Sequence, residues 1–142
     1  MIAIGCDHGA LELKEQLIEH LKKSGGECKD YGTYTKDSCD YPVYAKKVAE
    51  AILSGECEEG ILLCGTGIGM SMAANKIKGI RAALCSDCFS AQATKEHNNA
   101  NVLCMGARVI GPELAFRIAD TFLDSKFSND ERHIRRISML ED

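Results

Sequence analysis

The sequence has no tryptophan, only two prolines and 6% aromatic residues. It has no apolar run approaching the roughly 20 residues that a membrane-spanning helix needs. Linkers rich in Pro or Ser, low-complexity tracts and internal repeats are also missing. One domain over residues 1–142 is therefore expected. Positive charge is in deficit as well, with 17 Lys and Arg against 21 Asp and Glu and a net charge of -4. That excludes a general attraction to nucleic acid or to an anionic membrane, so an anionic ligand must be met by a local cluster of positive groups. A small phosphorylated metabolite fits that constraint. The chain opens on the apolar run Met1 to Cys6 with no basic leader, and the cytoplasm is the expected compartment.

Cysteine, by contrast, is plentiful, at eight residues. With no secretory signal and enough chain for a full core, reduced thiols are expected rather than a disulfide framework. Only Cys85 and Cys88 form a C-x-x-C pair, and no second pair or H-x-x-x-H completes a tetrahedral set. No metal site is expected, and most of the cysteines read as small core residues.

Apolar, β-branched runs recur at Met1–Cys6, Gly60–Cys64, Ile80–Cys85 and Val102–Met105, with a weaker one at Glu27–Tyr31. Between them, apolar residues recur every four positions: Leu13, Leu17 and Leu21; Tyr44, Val48 and Ile52; Leu114, Ile118 and Phe122. His20 falls on the polar face of the first of these helices and is expected in solvent. Alternating strands and helices with short Gly-rich connections predict a three-layer α/β/α, Rossmann-like fold around a five-stranded parallel sheet. The segment from Asp130 to Glu141 predicts a further C-terminal helix. In the flavodoxin-like order 2-1-3-4-5, the topological switch lies between the first and third strands, where ligands bind at the carboxyl ends. Cys6-Asp7-His8-Gly9 and Cys64-Gly65-Thr66-Gly67-Ile68-Gly69 end those two strands.

Cys64 closes a buried strand and precedes glycines at 65, 67 and 69, which let the backbone turn sharply and aim several N–H groups at one point. A helix then begins near Gly69. Such a turn favours a thiolate and would also hold a developing oxyanion, as proton abstraction beside a carbonyl requires. The alternative is a core thiol followed by a tight β-to-α turn. His97 follows an apparent helix over Phe89 to Glu96 and could supply the acid-base help that a ring-form sugar needs to open, or simply end a helix on the surface. Arg132 and Arg136, four apart and so on one helical face, could grip a phosphate with planar forks, with Arg108 joining them, or could form a solvated face.

These segments resemble the ribose-5-phosphate isomerase B family, in the group that also holds the galactose-6-phosphate isomerase subunits. The likeness covers nearly the whole chain. It rests on Gly5-Cys6-Asp7-His8, Asp40-Tyr41-Pro42, Gly60 through Gly69, Gly79-Ile80-Arg81-Ala82-Ala83, His97-Asn98-Asn99, and Arg132-His133 followed by Arg136. The resemblance implies interconversion of ribose 5-phosphate and ribulose 5-phosphate without cofactor, in a homodimer or homotetramer whose active sites lie between subunits. Cys64 then matches the base, His97 the ring-opening residue, and Thr66 belongs with them in the catalytic set. Gly65, Thr66, Gly67, Ile68 and Gly69 match the enediolate-binding loop. Asp7, His8, Tyr41 and Asn98 match substrate contacts, and Arg108, Arg132 and Arg136 phosphate contacts, the last two reaching in from the partner chain. Some members place a glutamate base in the helix after the glycine loop, where this chain has Asn75.

Other chemistries fit less well. Gly65-Thr66-Gly67 follows a strand and Asp87 lies twenty residues after Gly67, as in a dinucleotide fingerprint, but the third small residue falls at Met70. A cysteine phosphatase would need an arginine in the loop after Cys64, and none is there. An allose-6-phosphate or other hexose-6-phosphate isomerase, and a sugar-phosphate-binding module without turnover, remain the alternatives.

Overall fold

A computed structural model describes residues Met1–Asp142. The strands are β1 (Ile2–Cys6), β2 (Cys28–Asp30), β3 (Glu59–Cys64), β4 (Ala82–Leu84) and β5 (Val102–Gly106). The helices are α1 (Leu11–Lys23), α2 (Tyr41–Leu53), α3 (Ile68–Asn75), α4 (Cys88–Asn98), α5 (Pro112–Asp124) and α6 (Glu131–Leu140). All strand pairings are parallel, so the predicted α/β class holds. The helix over Phe89 to Glu96 is longer than expected and takes in His97 and Asn98 as its last turn.

The sheet order is β2-β1-β3-β5-β4, which corrects the expected 2-1-3-4-5 at one edge. The reason lies in burial. Every residue of β5 is buried, as a strand paired on both sides and covered on both faces must be, whereas β4 is short and only partly covered. The chain therefore steps over one position from β3 to β4 and returns to place β5 between them. A right-handed connection puts its helix on the opposite face when the direction reverses, so α3 joins α2 on one face while α4 joins α5 and α1 on the other. The switch between β1 and β3 is unaffected.

Strand alternation divides the core in two. Ile4, Cys6, Ile61, Leu63, Leu103 and Met105 face α1, α4 and α5. Ala3, Leu62, Cys64, Val102 and Cys104 face α2 and α3. The four-residue periodicities meet these faces: Leu13, Leu17 and Leu21 are buried on α1, and Ile118 and Phe122 on α5. Leu114, by contrast, remains exposed, because α5 turns Ala115 rather than its neighbour to the sheet. His20 departs from the expectation of a solvated residue. Its ring stacks on Phe116 at 4.5 Å and its Nε2 lies 2.8 Å from Asp120, because α5 covers that flank of α1. All eight cysteines are free.

One buried group is a cation. Lys14 on α1 is fully buried, with Nζ 2.7 Å from Asp30 and a second bond to the Thr33 carbonyl. Gly32 and Thr33 in turn exchange backbone bonds with Cys6, at 2.7 Å and 2.8 Å, so the ammonium ties the loop after β2 to the end of β1. Burying a charge is costly unless it is paired and its donors are used, which these partners accomplish. Phe122, in the larger core, makes the packing testable. Phe122→Ala should destabilise the fold by about 3–5 kcal/mol, read as a lower denaturation midpoint in urea at unchanged slope.

Candidate active site

The turn after β3 is built around one sulfur. Cys64 is 6% exposed and ends the strand on the α2 and α3 face. Gly67 follows at φ 81°, in the left-handed region that glycine enters freely. This bend returns the Gly67 N–H to Cys64, where it donates to Sγ at 3.0 Å. The Thr66 hydroxyl accepts from Ile68 N–H, the first of α3, at 3.2 Å, a local side-chain turn that braces the bend. The N–H groups of Gly65, Thr66 and Gly69 have no partner within the chain. Donors of this kind beside a helix start form a concavity for an anion.

The turn is held from below by β5. Ala107 N–H donates to the Cys64 carbonyl and Arg108 N–H to that of Gly65, both at 2.9 Å. A side chain at Gly106 would begin 2.5 Å from the Thr66 carbonyl oxygen, so only glycine permits this approach. Burial pushes Cys6 up to about 12 and Cys85 up to about 11, and raises Cys104 further, so each stays protonated near neutral pH.

Residues from three other loops edge the turn. Asp7 donates its N–H to Leu63 at 3.1 Å, and its carboxylate accepts from Gly9 N–H at 2.9 Å. His8 is exposed, and its Nδ1 accepts from Cys39 N–H at 3.2 Å. The Tyr41 ring packs against Gly69, where an added side chain would meet ring carbons at 2.7–3.1 Å. Arg108 is exposed and runs over Gly65. Asp7, His8, Tyr41, Arg108 and the 64–69 turn thus form one group at the carboxyl end of the sheet.

His97, Asn98, Arg132 and Arg136 do not join that group. Asn101, just past α4, accepts from Gly60 N–H at 2.9 Å, and Lys95 pairs with Glu59, the first residue of β3. The end of α4 therefore lies where β3 begins. Cys64 is five residue steps along that strand, roughly 16 Å away at ~3.3 Å per residue. Within one chain the two groups are on opposite edges of the sheet. On this second edge the His97 and His133 rings stand 4.7 Å apart. His133 is buried, and its Nδ1 lies 2.6 Å from the Ser128 hydroxyl. Burial and then the neighbouring His97 hold His133 below the ordinary histidine range, so it is neutral. Arg132 and Arg136 are exposed on α6, and Asp130 approaches Arg132 only to 4.0 Å.

Two residues of this edge had no role in the sequence reading. His133 and Arg81 stand inside motifs, but nothing in their spacing shows that one packs under His97 and the other bonds the end of α4. Asn75, at the position of the alternative glutamate, is engaged elsewhere: its amide donates to the Ala82 carbonyl and accepts from Ala82 N–H, at 2.9 Å and 2.8 Å.

The sequence model of the Ribose/Galactose Isomerase family matches residues 2–140. The chain belongs to that family. Among curated members, ribose-5-phosphate isomerase B of Escherichia coli is 47% identical, over 98% of this chain and 93% of that protein. A D-erythrulose-4-phosphate isomerase of Pectobacterium atrosepticum is 49% identical over 89% of this chain and 84% of its own length. Galactose-6-phosphate isomerase subunit LacB of Clostridium acetobutylicum is 46% identical over 89% of this chain and 73% of its own. Among solved structures, a ribose 5-phosphate isomerase of Thermotoga maritima superposes with TM-score 0.96 at 54% identity, covering 99% of this chain and 96% of that one. In this family member the Gly106 contact offers a test of the turn. Gly106→Ala should leave the fold intact by circular dichroism yet push the 64–69 turn out of place, and a shift near 1 Å costs roughly a hundredfold in turnover.

Proposed function

We propose that this protein interconverts D-ribose 5-phosphate and D-ribulose 5-phosphate through an enediolate, with no metal or organic cofactor. The observation that carries the reading is the Gly67 N–H aimed at Cys64 Sγ, in the same turn as the unpaired N–H groups of Gly65, Thr66 and Gly69. A base and an anion holder then lie side by side. The Cys64 thiolate takes the proton from C2 of the open-chain aldose, a double bond forms between C1 and C2, and the charge moves to O1 among those amides. The O2 proton passes to O1, the thiol returns its proton to C1, and the ketone forms at C2. Asp7, His8 and Tyr41 hold the sugar, with Thr66 fixing the turn.

The other requirements are met from the second edge. His97 opens the furanose ring, Asn98 contacts the sugar, and Arg132 and Arg136 share the phosphate with Arg108. Because one chain keeps its two groups on opposite edges, each site takes His97, Asn98, Arg132 and Arg136 from the partner in a homodimer, which can pair further into a tetramer. The pentose reading is supported by matches covering nearly the whole length of ribose-5-phosphate isomerases, against 73% of the LacB subunit. Relatives named for a tetrose and for a hexose phosphate keep those sugars, and allose 6-phosphate, as the alternative substrates.

The chemistry is tested by assaying ribose 5-phosphate, allose 6-phosphate, galactose 6-phosphate and erythrulose 4-phosphate in chelator-treated buffer, with the highest kcat/KM expected for the pentose. A higher value for another sugar, or a need for added divalent metal, would overturn the reading. Solvent deuterium separates the two candidate groups. Cys64→Ala should abolish deuterium exchange at C1 of ribulose 5-phosphate together with turnover, whereas His97→Ala should retain exchange while net conversion to the ring aldose falls. Loss of both in step would remove His97 from ring opening.

The intersubunit arrangement is tested by mixing. A charge-assisted phosphate contact is worth about 1.5–3 kcal/mol, so Arg136→Ala should weaken phosphorylated substrate by roughly ten- to hundredfold. Refolded together, Cys64→Ala and Arg136→Ala chains form mixed dimers in which one site carries both lesions and the other neither. Activity should rise well above either parent. Co-purifying mixed dimers that stay at the parental average would place the phosphate clamp in the chain of its own cysteine.

A further inference from the structure

We infer that Arg81 is a positioning residue for the second edge: its guanidinium, acting through the carbonyls that end α4, sets where His97 and Asn98 stand. The inference rests on the isomerase reading and its intersubunit site, and extends it to a residue outside the reacting groups.

Arg81 lies immediately before β4, and its side chain is largely buried, at 21% exposure. Its Nε donates to the carbonyls of Asn98 and Asn99 at 3.2 Å and 3.0 Å, and one Nη donates to that of Asn99 at 2.8 Å. The other Nη donates to Glu141 at 2.6 Å, just beyond the end of α6. The last carbonyls of a helix have no partners within it and form the negative end of its dipole, where a cation with several donors fits. Asn99, at φ 46° and ψ 46°, turns the chain out of α4 and exposes those carbonyls to the guanidinium.

The backbone of Arg81 is itself fixed. Its N–H donates to the Asn101 side chain at 2.8 Å and its carbonyl accepts from Asn101 N–H at 3.0 Å, while the Asn101 amide donates to Gly79 at 2.9 Å. The side chains of His97 and Asn98 have no hydrogen-bond partner in the chain, and the His133 ring stands beside that of His97. Their placement thus depends on the backbone of the α4 end, which Arg81 bonds directly. Through Glu141 the same guanidinium also reaches α6, the helix that carries Arg132 and Arg136. Both parts of the second edge converge on one planar fork. A lysine would bring charge from a single nitrogen and could not serve two carbonyls and a carboxylate in that geometry.

The test uses Arg81→Lys, with Glu141→Ala as a milder lesion that leaves the carbonyl bonds in place. Arg81→Lys should lower kcat/KM for ribose 5-phosphate by roughly ten- to a hundredfold, and Glu141→Ala by less. At saturating ribulose 5-phosphate, both should keep the Cys64-dependent deuterium exchange at C1 while net conversion falls. Mixed dimers then assign the lesion to an edge. Arg81→Lys refolded with Cys64→Ala should recover activity, and refolded with His97→Ala it should not. A defect spread through the fold damages both contributions of the chain and complements neither. Cys64→Ala with His97→Ala is the control: its failure to recover activity overturns the intersubunit reading, and the exchange measurement on Arg81→Lys alone still decides the role of Arg81. Near-wild-type turnover, loss of exchange in step with turnover, or recovery with His97→Ala would each overturn the inference. If Arg81→Lys does not fold, the same grouping is read from Arg81→Gln, which loses most of the donors to the Asn98 and Asn99 carbonyls.

Discussion

In an all-parallel sheet every strand ends on one edge, and each helix that follows runs back and ends on the other. Most of this molecule can be understood from that constraint. Cys64 closes β3, and the loops after β1 and β5 and before α2 gather Asp7, His8, Arg108 and Tyr41 around it. His97 closes α4, and the same geometry that exposes it also carries it a strand length from the sulfur. No repacking of side chains spans that gap, so the proposed chemistry needs a second chain. The reading of an intersubunit site therefore follows from topology, and the identity of the contributing residues from which edge each element ends on.

Each edge is held by a different kind of interaction. The first depends on close backbone approach: glycine at 67 and at 106 lets the turn close on Cys64 and lets β5 support it from below, while the buried Lys14 ties the loop after β2 to the end of β1. The second depends on a cation at a helix end and on ring packing. Arg81 bonds the last carbonyls of α4, and the neutral His133 lies under His97. A positive charge on His133 would be buried beside Arg132, Arg136 and His97, with only Asp130 to offset it, which is why burial there selects the neutral ring.

The parts of this arrangement that were legible in the sequence were local. Leucines four apart on α1, the apolar run Ile61 to Cys64 that ends β3 and the alternating glycines after Cys64 each carry their structure in a few residues. The β4 and β5 order was not legible, because Ala82-Ala83-Leu84 and Val102-Leu103-Cys104 are both short apolar runs, and only burial on both sides separates an inner strand from an edge. The contact of His20 with Phe116 and Asp120 joins residues about a hundred positions apart on two helices, and no periodicity in either helix encodes it. Cys64, His97 and the arginines could be named as candidates from motifs, but their division between two edges required the sheet.

That division bears on how an acidic chain can hold an anionic substrate. With a net charge of -4, the protein as a whole repels a sugar phosphate, and the attraction must be local. Arg108 stands on one edge and Arg132 and Arg136 on the other. Each group alone is exposed and screened by water, where a charge contributes little. Brought together across a subunit contact, the three guanidinium groups would share one partly desolvated phosphate, where charge-assisted bidentate bonds are strong. The same approach would place the ring-opening imidazole against the turn that holds the enediolate. On the proposed reading, phosphate affinity and the proton chemistry are therefore both properties of the assembled pair, and a single chain supplies two halves that cannot serve each other.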